Sequence, residues 1–453
     1  MGHVDETFKA YDIRGVVPDQ LDADLARKVG SAFAAFVGMS PVLVGHDMRP
    51  SGPELVAAFT DGVTSAGADV TLLGLISTDE LFYASGVLDS PGAVFTASHN
   101  PARYNGIKLC LSGARPVGAE TGLAEIRTSI ESGRLPAVPE AARGSVSHRD
   151  VLAGYAAKVR SFVDPGALRP LKVVADTANG MGGLVVPAVF EGLPFQLEVL
   201  YPELDGNFPN HPADPIQAAN LRDLRARVLE TGADVGLAFD GDADRCFLVD
   251  DKAEPVSGST TTAIVAKAML EKFPGSTVLH NLIVSKAVPE VIRENGGAPV
   301  VTRVGHSFIK ARMAETGAVF GGEHSGHYYF RDNYRADSGS IAAVVVLEVI
   351  SKAGVPLSEL RKPFDRYAMS GEVNTEVPDP AGTIEEIARR FASAHPEASQ
   401  SRMDGLTVDS GDWWFNVRPS NTEPLVRLNV EAADAASCRA HTQEILALIR
   451  REA

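Results

Sequence analysis

The sequence predicts an α/β protein: three related α/β units with mixed, mainly parallel sheets, followed by a C-terminal α+β unit. Short β-branched apolar runs end in polar turns and alternate with longer helical stretches. Three segments repeat one pattern, a small-residue strand with a Phe and then a polar loop: GAVFTASHN from Gly92, GLAFDGDAD from Gly236 and GAVFGGEHS from Gly317. The tail breaks the pattern, because there apolar and polar residues alternate.

In chain order, PVLVGHDMRPSG from Pro41, LKVVADTANGMGG from Leu171 and STVLHNLIVS from Ser276 each place an apolar run before a polar turn. Continuous apolarity marks strands buried on both faces, hence parallel sheets. PELVAAFTDGVTSAG from Pro53 and NLRDLRARVLETG from Asn220 carry helical periodicity, the second stopped by Gly232 as a C-cap. AGADV before the strand at Val70 and TGADV before that at Val235 are matching helix-to-strand turns. The uneven spacing of Phe95, Phe239 and Phe320 excludes a solenoid. It fits three units that each offer a loop from the carboxyl end of a strand, where open parallel sheets place their ligands.

Beyond Pro363 the composition shifts, and PDPAG around Pro378 reads as a turn. DWWFNVRPSNTEPLVRLNVEA then reads strand, polar loop, strand. Val426, Leu428 and Val430 alternate with Arg427, Asn429 and Glu431, the pattern of a half-buried antiparallel strand. The chain of 453 residues fits three domains of about 150 residues each, and the odd tail adds a fourth. The expected units are 1–145, 146–252, 253–365 and 366–453, with a linker near 364–372.

Hydrophobic residues make up 45% of the chain and charged ones 22%, which excludes disorder as the dominant state. Lys and Arg number 42 against 58 Asp and Glu, a net charge of −16 that disfavours nucleic acid and anionic membrane as partners. It does not exclude a small anion held at a locally positive site. Cys110, Cys246 and Cys438 lie far apart, which argues against a disulfide framework or structural zinc. The N-terminus has no apolar signal-like core, and the most apolar run, Ile341 to Ile350, is too short for a membrane span and carries Glu348. A cytoplasmic protein is expected.

Four loops carry chemistry. In DGDADR, Asp240, Asp242 and Asp244 alternate, and three carboxylates in one small loop call for a cation. An all-oxygen set suits a hard ion such as Mg²⁺. A calcium EF-hand loop would need Gly where Arg245 stands, and a haloacid-dehalogenase-type phosphatase would use Asp240 as nucleophile. TASHNP presents Ser98 where a strand ends, although turn chemistry alone accounts for a Ser there. GEHSGH offers Glu323, Ser325 and His327, a set suited to sugar hydroxyls. RPSNTEP offers Arg418, Ser420, Asn421 and Thr422, suited to a phosphate. No Gly-Lys pair exists for a Walker loop, and Gly180–Val185 lacks the third glycine of a dinucleotide fingerprint.

Together, in this order and across essentially the whole chain, these loops closely resemble those of the α-D-phosphohexomutase superfamily. The GEHSGH form is similar to the phosphomannomutase/phosphoglucomutase branch; phosphoglucosamine mutases usually carry Gln where His324 stands. His46 departs from the Arg frequent in the family. The resemblance implies four domains around a central cleft, with Ser98 as phosphoserine and Asp240, Asp242, Asp244 and a phosphate oxygen on Ser98 as Mg²⁺ ligands. It implies sugar-hydroxyl contacts from Glu323 and Ser325, with His327 on the same loop, and a phosphate clamp from Arg418, Ser420, Asn421 and Thr422. Lys108 matches a family lysine near the reacting oxygens, His306 and Arg245 are candidates for proton transfer or phosphate contact, Tyr11 and Arg14 match the family's N-terminal active-site strip, and Lys286 matches a substrate-contacting lysine.

The implied reaction interconverts hexose 1- and 6-phosphates, of mannose or glucose, through a hexose 1,6-bisphosphate. Phosphoglucosamine mutase, a Mg²⁺-dependent sugar phosphatase and a non-catalytic phosphosugar binder are the alternatives. The implied partners are small hexose phosphates, and the expected state is a monomer or weak dimer.

Overall fold

A computed structural model describes residues 2–420 and 425–450. Its first sheet has strands in the order Ile13–Val16, Tyr104–Leu111, Gly92–Phe95, Val42–His46, Val70–Leu75 and Val146–His148, with Arg115–Pro116 paired to Tyr104–Leu111. Neighbours from Gly92–Phe95 onward run parallel, and Tyr104–Leu111 is antiparallel to both its long neighbours. Helices Ala23–Phe36 and Gly52–Ala66 pack against this sheet and each other over a core that includes Phe33, Phe59, Phe95 and Ile107. Each such side chain contributes about 1.5–3 kcal/mol by leaving water. Gly67, at φ 101°, stops the second of these helices.

The second sheet is ordered Pro255–Val256, Cys246–Asp250, Val235–Phe239, Lys172–Asp176, Gln196–Leu200, and the third Ala298–Thr302, Thr277–Asn281, Phe320–Gly322, Tyr328–Phe330. Both repeat the first: parallel strands, then one strand that hairpins back antiparallel. Strand Val146–His148 joins the first sheet and Pro255–Val256 the second, each just past the expected unit ends at 145 and 252. One apolar core runs through the second and third units, from Tyr155 and Phe239 to Phe320, Phe330 and the buried helix Gly339–Ala353. That helix contains the apolar run from Ile341, and none among the described residues is long and apolar enough to cross a membrane.

The last sheet is wholly antiparallel, with helices Pro380–Ala394 and Ala435–Arg450 on its apolar side. Two expectations change here. PDPAG is a helix start: Asp379 caps Gly382 N–H and Pro380 opens the helix. The polar side of strand Leu425–Ala432 is only partly wet, because Asn429 and Glu431 are each 1% exposed. Glu431 is covered by the third unit, whose Lys286 N–H donates to it at 2.9 Å. Cys110, Cys246 and Cys438 are buried and unbridged.

Candidate active site

Each of the three repeated hairpins ends a parallel strand in a loop and returns antiparallel. The loops after Gly92–Phe95, Val235–Phe239 and Phe320–Gly322 are those of Ser98, Asp240–Arg245 and Glu323–His327. In the third hairpin Phe320 opens the strand instead of closing it, so its loop starts two residues later relative to the Phe.

Ser98 sits in left-handed backbone at φ 50°, a conformation that costs a non-glycine residue about 1 kcal/mol or more. Thr96 Oγ1 accepts its N–H at 2.9 Å, and Arg49 Nη2 donates to its carbonyl at 2.9 Å. Arg49, 1% exposed, also donates to the carbonyls of Asn100, Pro101 and Tyr104, at 2.6, 2.9 and 2.9 Å. Sequence reasoning missed Arg49. The signal was Asp47-x-Arg49 directly after a buried strand, where Asp47 Oδ2 takes the Arg49 Nε–H at 3.2 Å.

The Ser98 hydroxyl donates to Asp240 Oδ2 at 2.8 Å. Gly241 makes this approach possible, because a Cβ there would stand 2.3 Å from the Ser98 carbonyl oxygen. Arg245 donates from Nε to Asp240 Oδ2 at 2.9 Å, and its Nη2 reaches His99 Nδ1 at 2.6 Å and Ser98 Oγ at 3.4 Å. His99 is held well below its ordinary pKa by burial and then by Arg245 and Arg14, so it accepts from Arg245 as a neutral ring. Lys108, on the return strand, donates to Asp242 Oδ2 at 2.6 Å and Asp244 Oδ2 at 2.8 Å. Burial works against its charge, but Asp242 and Asp244 outweigh it and raise its pKa. Thr78, also missed, donates to Asp242 Oδ2 at 2.6 Å from the first turn of helix Thr78–Leu88.

Asp240, Asp242 and Asp244 each offer an oxygen within 4.8 Å of the others, and all three are buried. Asp242 Oδ1 and Asp244 Oδ1 have no hydrogen-bond partner. Two orphaned buried carboxylate oxygens in a three-carboxylate cradle fit a divalent cation with oxygen preference.

The third loop lies against this cradle: His327 Nε2 is 3.7 Å from Asp244 Oδ1, and its Nδ1 is 3.0 Å from Ser325 Oγ. Glu323 is 2% exposed and accepts from Asn281 Nδ2, Gly305 N–H and the Tyr329 hydroxyl at 3.0, 3.2 and 2.7 Å. Arg14 donates to Asn100 Oδ1 at 2.6 Å, bracing the Ser98 loop. Tyr11 donates to the Val304 carbonyl at 3.2 Å, and its phenol pKa is raised by burial and by Asp404 and Glu323, with Arg303 and Arg418 opposing.

Two expected residues are otherwise engaged. Lys286 Nζ binds Asp409 Oδ1 and the Gly411 carbonyl, both at 2.7 Å, tying the third unit to the C-terminal one. Arg418 Nη2 donates to Glu372 Oε2 at 2.6 Å. Ser420 N–H donates to the Leu425 carbonyl at 2.9 Å; Asn421, Thr422 and the His306 side chain lie outside the described residues.

Comparison with known proteins finds relatives over essentially the whole chain. Models of phosphoglucomutase/phosphomannomutase alpha/beta/alpha domains I, II and III match residues 5–136, 153–254 and 257–367, and that of the C-terminal domain matches 372–448. "Phosphohexose mutases" of Xanthomonas campestris pv. campestris is 41% identical over 98% of this chain and 99% of its own. The phosphomannomutase of Escherichia coli K12 is 38% identical over 98% of both chains. A crystal structure of a phosphoglucomutase/phosphomannomutase family protein from Burkholderia thailandensis superposes with a TM-score of 0.88 at 33% identity, covering 98% of both chains. With all four domain models matched in order and full-length relatives at this identity, the chain belongs to the phosphoglucomutase/phosphomannomutase family and is a phosphohexomutase-type enzyme.

Proposed function

We propose that the chain interconverts hexose 1-phosphate and hexose 6-phosphate, with mannose phosphate the first substrate to test, through a phosphoserine at Ser98 and a hexose 1,6-bisphosphate. The observation that carries this reading is the Ser98 hydroxyl, 2.8 Å from Asp240 and 3.4 Å from the Arg245 guanidinium, where three loops from three units meet.

Phosphoryl transfer is mostly positioning and charge neutralisation. Phospho-Ser98 gives its phosphoryl group to the free hydroxyl of the bound hexose phosphate, and the other phosphate of the bisphosphate later returns to Ser98. Arg245 and Lys108 supply positive charge at the reacting oxygens. Arg49 holds the Ser98 loop in line. Asp240, Asp242 and Asp244 would hold Mg²⁺, with a phosphate oxygen on Ser98, and the ion would offset charge on the transferring group. Glu323 and Ser325 with His327 face the sugar hydroxyls, and Tyr11 and Arg14 border them. Lys286 and the loop of Arg418, Ser420, Asn421 and Thr422 bind the phosphate that is not transferred, Lys286 after release from Asp409. His306 is the candidate for proton transfer.

Asp240 is poorly placed as a phosphatase nucleophile: Oδ1 accepts from Arg245 N–H at 3.1 Å, and Oδ2 from Ser98 and Arg245. Ser98→Ala should abolish turnover of mannose 1-phosphate assayed with Mg²⁺ and hexose 1,6-bisphosphate, and peptide mapping of active enzyme should find acid-stable phosphate on Ser98. Full turnover in that variant, or phosphate on Asp240, would overturn the reading.

A further inference from the structure

Among the described residues, two groups of acidic and His side chains come close enough to hold a metal ion. One is Asp240, Asp242 and Asp244; beside it stand Asp244, His327 and Asp337, again with ligand atoms within 4.8 Å of one another. The two groups share Asp244, whose Oδ1 has no hydrogen-bond partner and lies 3.7 Å from His327 Nε2. Two ligand sets with a common carboxylate are the makings of a two-metal centre, where ions stand about 3.5–4 Å apart.

One side chain already answers Asp337. Lys310, on helix His306–Thr316, is 3% exposed, and its Nζ lies 2.7 Å from Asp337 Oδ1. The ammonium also sits 3.9 Å from the centre of the Phe82 ring, so the first unit holds it too. Phe82 and Thr78 are one turn apart on helix Thr78–Leu88, and Thr78 donates to Asp242, so one face of that helix meets both Lys310 and the cradle. Carboxylates crowd this interior. Asp79, buried in the same helix, has its pKa raised well above the ordinary value by burial and by Asp244 and Asp337, with a hydrogen bond to Ser338 opposing. Lys108 and Arg245 serve the cradle carboxylates, and Lys310 serves Asp337. A buried carboxylate this close to others needs a cation, either a metal ion or a side chain.

We propose that Lys310 is a tethered cation that brings Asp337 the charge a second metal ion would bring, and so keeps the centre to one ion. Asp244 then stays committed to the cradle, and His327 to the Ser325 hydroxyl, 3.0 Å from its Nδ1. Lys310 is a positioning residue, because it acts through Asp337. The inference rests on the reading of Asp240, Asp242 and Asp244 as a cation cradle.

The test counts bound Mn²⁺, an ion suited to carboxylate ligands, from the paramagnetic-resonance signal of the unbound metal. It compares the parent chain, Lys310→Met, Asp337→Asn and the double variant. The parent should bind one ion tightly, and Asp337→Asn alone should stay at one. Lys310→Met keeps the stem under Phe82 and removes the charge. It should bind a second ion at least about 10-fold more tightly than the parent binds any beyond the first, because a buried carboxylate that has lost its cation is strongly unfavourable. Its turnover of mannose 1-phosphate should rise and then fall as Mn²⁺ increases, where that of the parent levels off. Adding Asp337→Asn to Lys310→Met should return both the count and the rate curve to the parent's form, which a mere loss of packing at Lys310 would not allow. Should Lys310→Met fail to fold, Lys310→Gln carries the same test. A parent chain that binds no Mn²⁺ would sink the cradle reading and this inference with it. One ion in the parent and the same count in the Lys310 variant, or a second ion that persists when Asp337 is also changed, would overturn this inference alone.

Discussion

Arg49 shows how much positioning one buried cation can do. Its guanidinium gathers four carbonyls of the segment from Ser98 to Tyr104 and one carboxylate, fixing a loop whose key residue is in left-handed backbone. Arg49→Met keeps the stem and removes every donor. It leaves Asp47 buried and unpaired, a change that typically costs about 3–5 kcal/mol. Turnover should fall by about 100-fold or more, since a small misplacement of the reacting group costs that much. Denaturant titration and steady-state assays would check both, and turnover within threefold of the parent chain would contradict the positioning role.

His280, in an inner strand of the third sheet, sets a pH dependence. Burial pulls its pKa down to about 4 from an ordinary value near 6.5, with Arg293 adding to the effect and the Asn281 carbonyl opposing it. The folded ring stays neutral while the unfolded chain takes up a proton below about pH 6.5. Stability is therefore full above pH 6.5, declines as pH falls toward 4, and loses up to about 3 kcal/mol over that window. Urea unfolding of the parent chain and His280→Asn at several pH values should show a shallower slope in the variant. Parallel slopes would contradict the assignment.

At the scale of elements, the repeated hairpin is the working part. It sends a loop from a parallel strand and pins the return strand beside it, so the loop's two ends are fixed a strand spacing apart. Where two such loops touch, Gly241 leaves room for the Ser98 carbonyl. Gly241→Ala should reduce turnover by at least 10-fold with little loss of folding, because the clash falls at the contact between loops. Unchanged turnover, measured beside a melting curve, would show that the loops can part freely.

A helix start offers a simpler check. Removing the Asp379 cap by Asp379→Ala should destabilise the C-terminal unit by about 1 kcal/mol, seen as an earlier transition on melting.

Much of this level was legible in the sequence: buried parallel strands declare themselves by continuous apolar runs, and the four loops by their residue types. The rest depended on contacts that residue types and spacing do not fix. Nothing local to Glu431 shows that Lys286 of the third unit meets it. The Pro378-Asp379-Pro380 run fits a turn as well as a helix start until Gly382 N–H is seen meeting the Asp379 carboxylate. Glu323, proposed above to meet sugar hydroxyls, also accepts from Asn281, Gly305 and Tyr329, of which only Tyr329 lies near it in sequence.

For the whole molecule, the joint before the C-terminal unit is narrower than the linker expected at 364–372. Arg366 binds Glu290 and Glu294 and Tyr367 binds Glu290, fastening both to the third unit, whereas Ala368 already pairs with Ala432 in the last sheet. Lys286 adds a tie across the same boundary through Asp409 and Glu431. Lys286→Met should loosen the unit, making the chain near residue 368 cleave faster in limited proteolysis. An unaltered cleavage rate would show the tie to be weak. The overall charge of −16 describes the chain as a whole and leaves room for local cations: Arg245 Nη2 lies 3.4 Å from the Ser98 hydroxyl, and Lys108 lies 2.6 and 2.8 Å from Asp242 and Asp244.

The core shared by the second and third units makes the loops of Asp240–Arg245 and Glu323–His327 parts of one stator. Their mutual alignment cannot drift without opening a common interior. The C-terminal unit shares none of that interior: it is reached through the link between Tyr367 and Ala368 and held by polar ties at Lys286. If a bisphosphate has to be offered to Ser98 from either end, this unit would serve as the rotor, the clamp swinging with it while the cation cradle and the sugar loop keep register. Mutations that soften the shared interior should therefore damage chemistry at both loops together, and mutations at the joint should alter capture and release of the sugar phosphate while leaving the cradle intact.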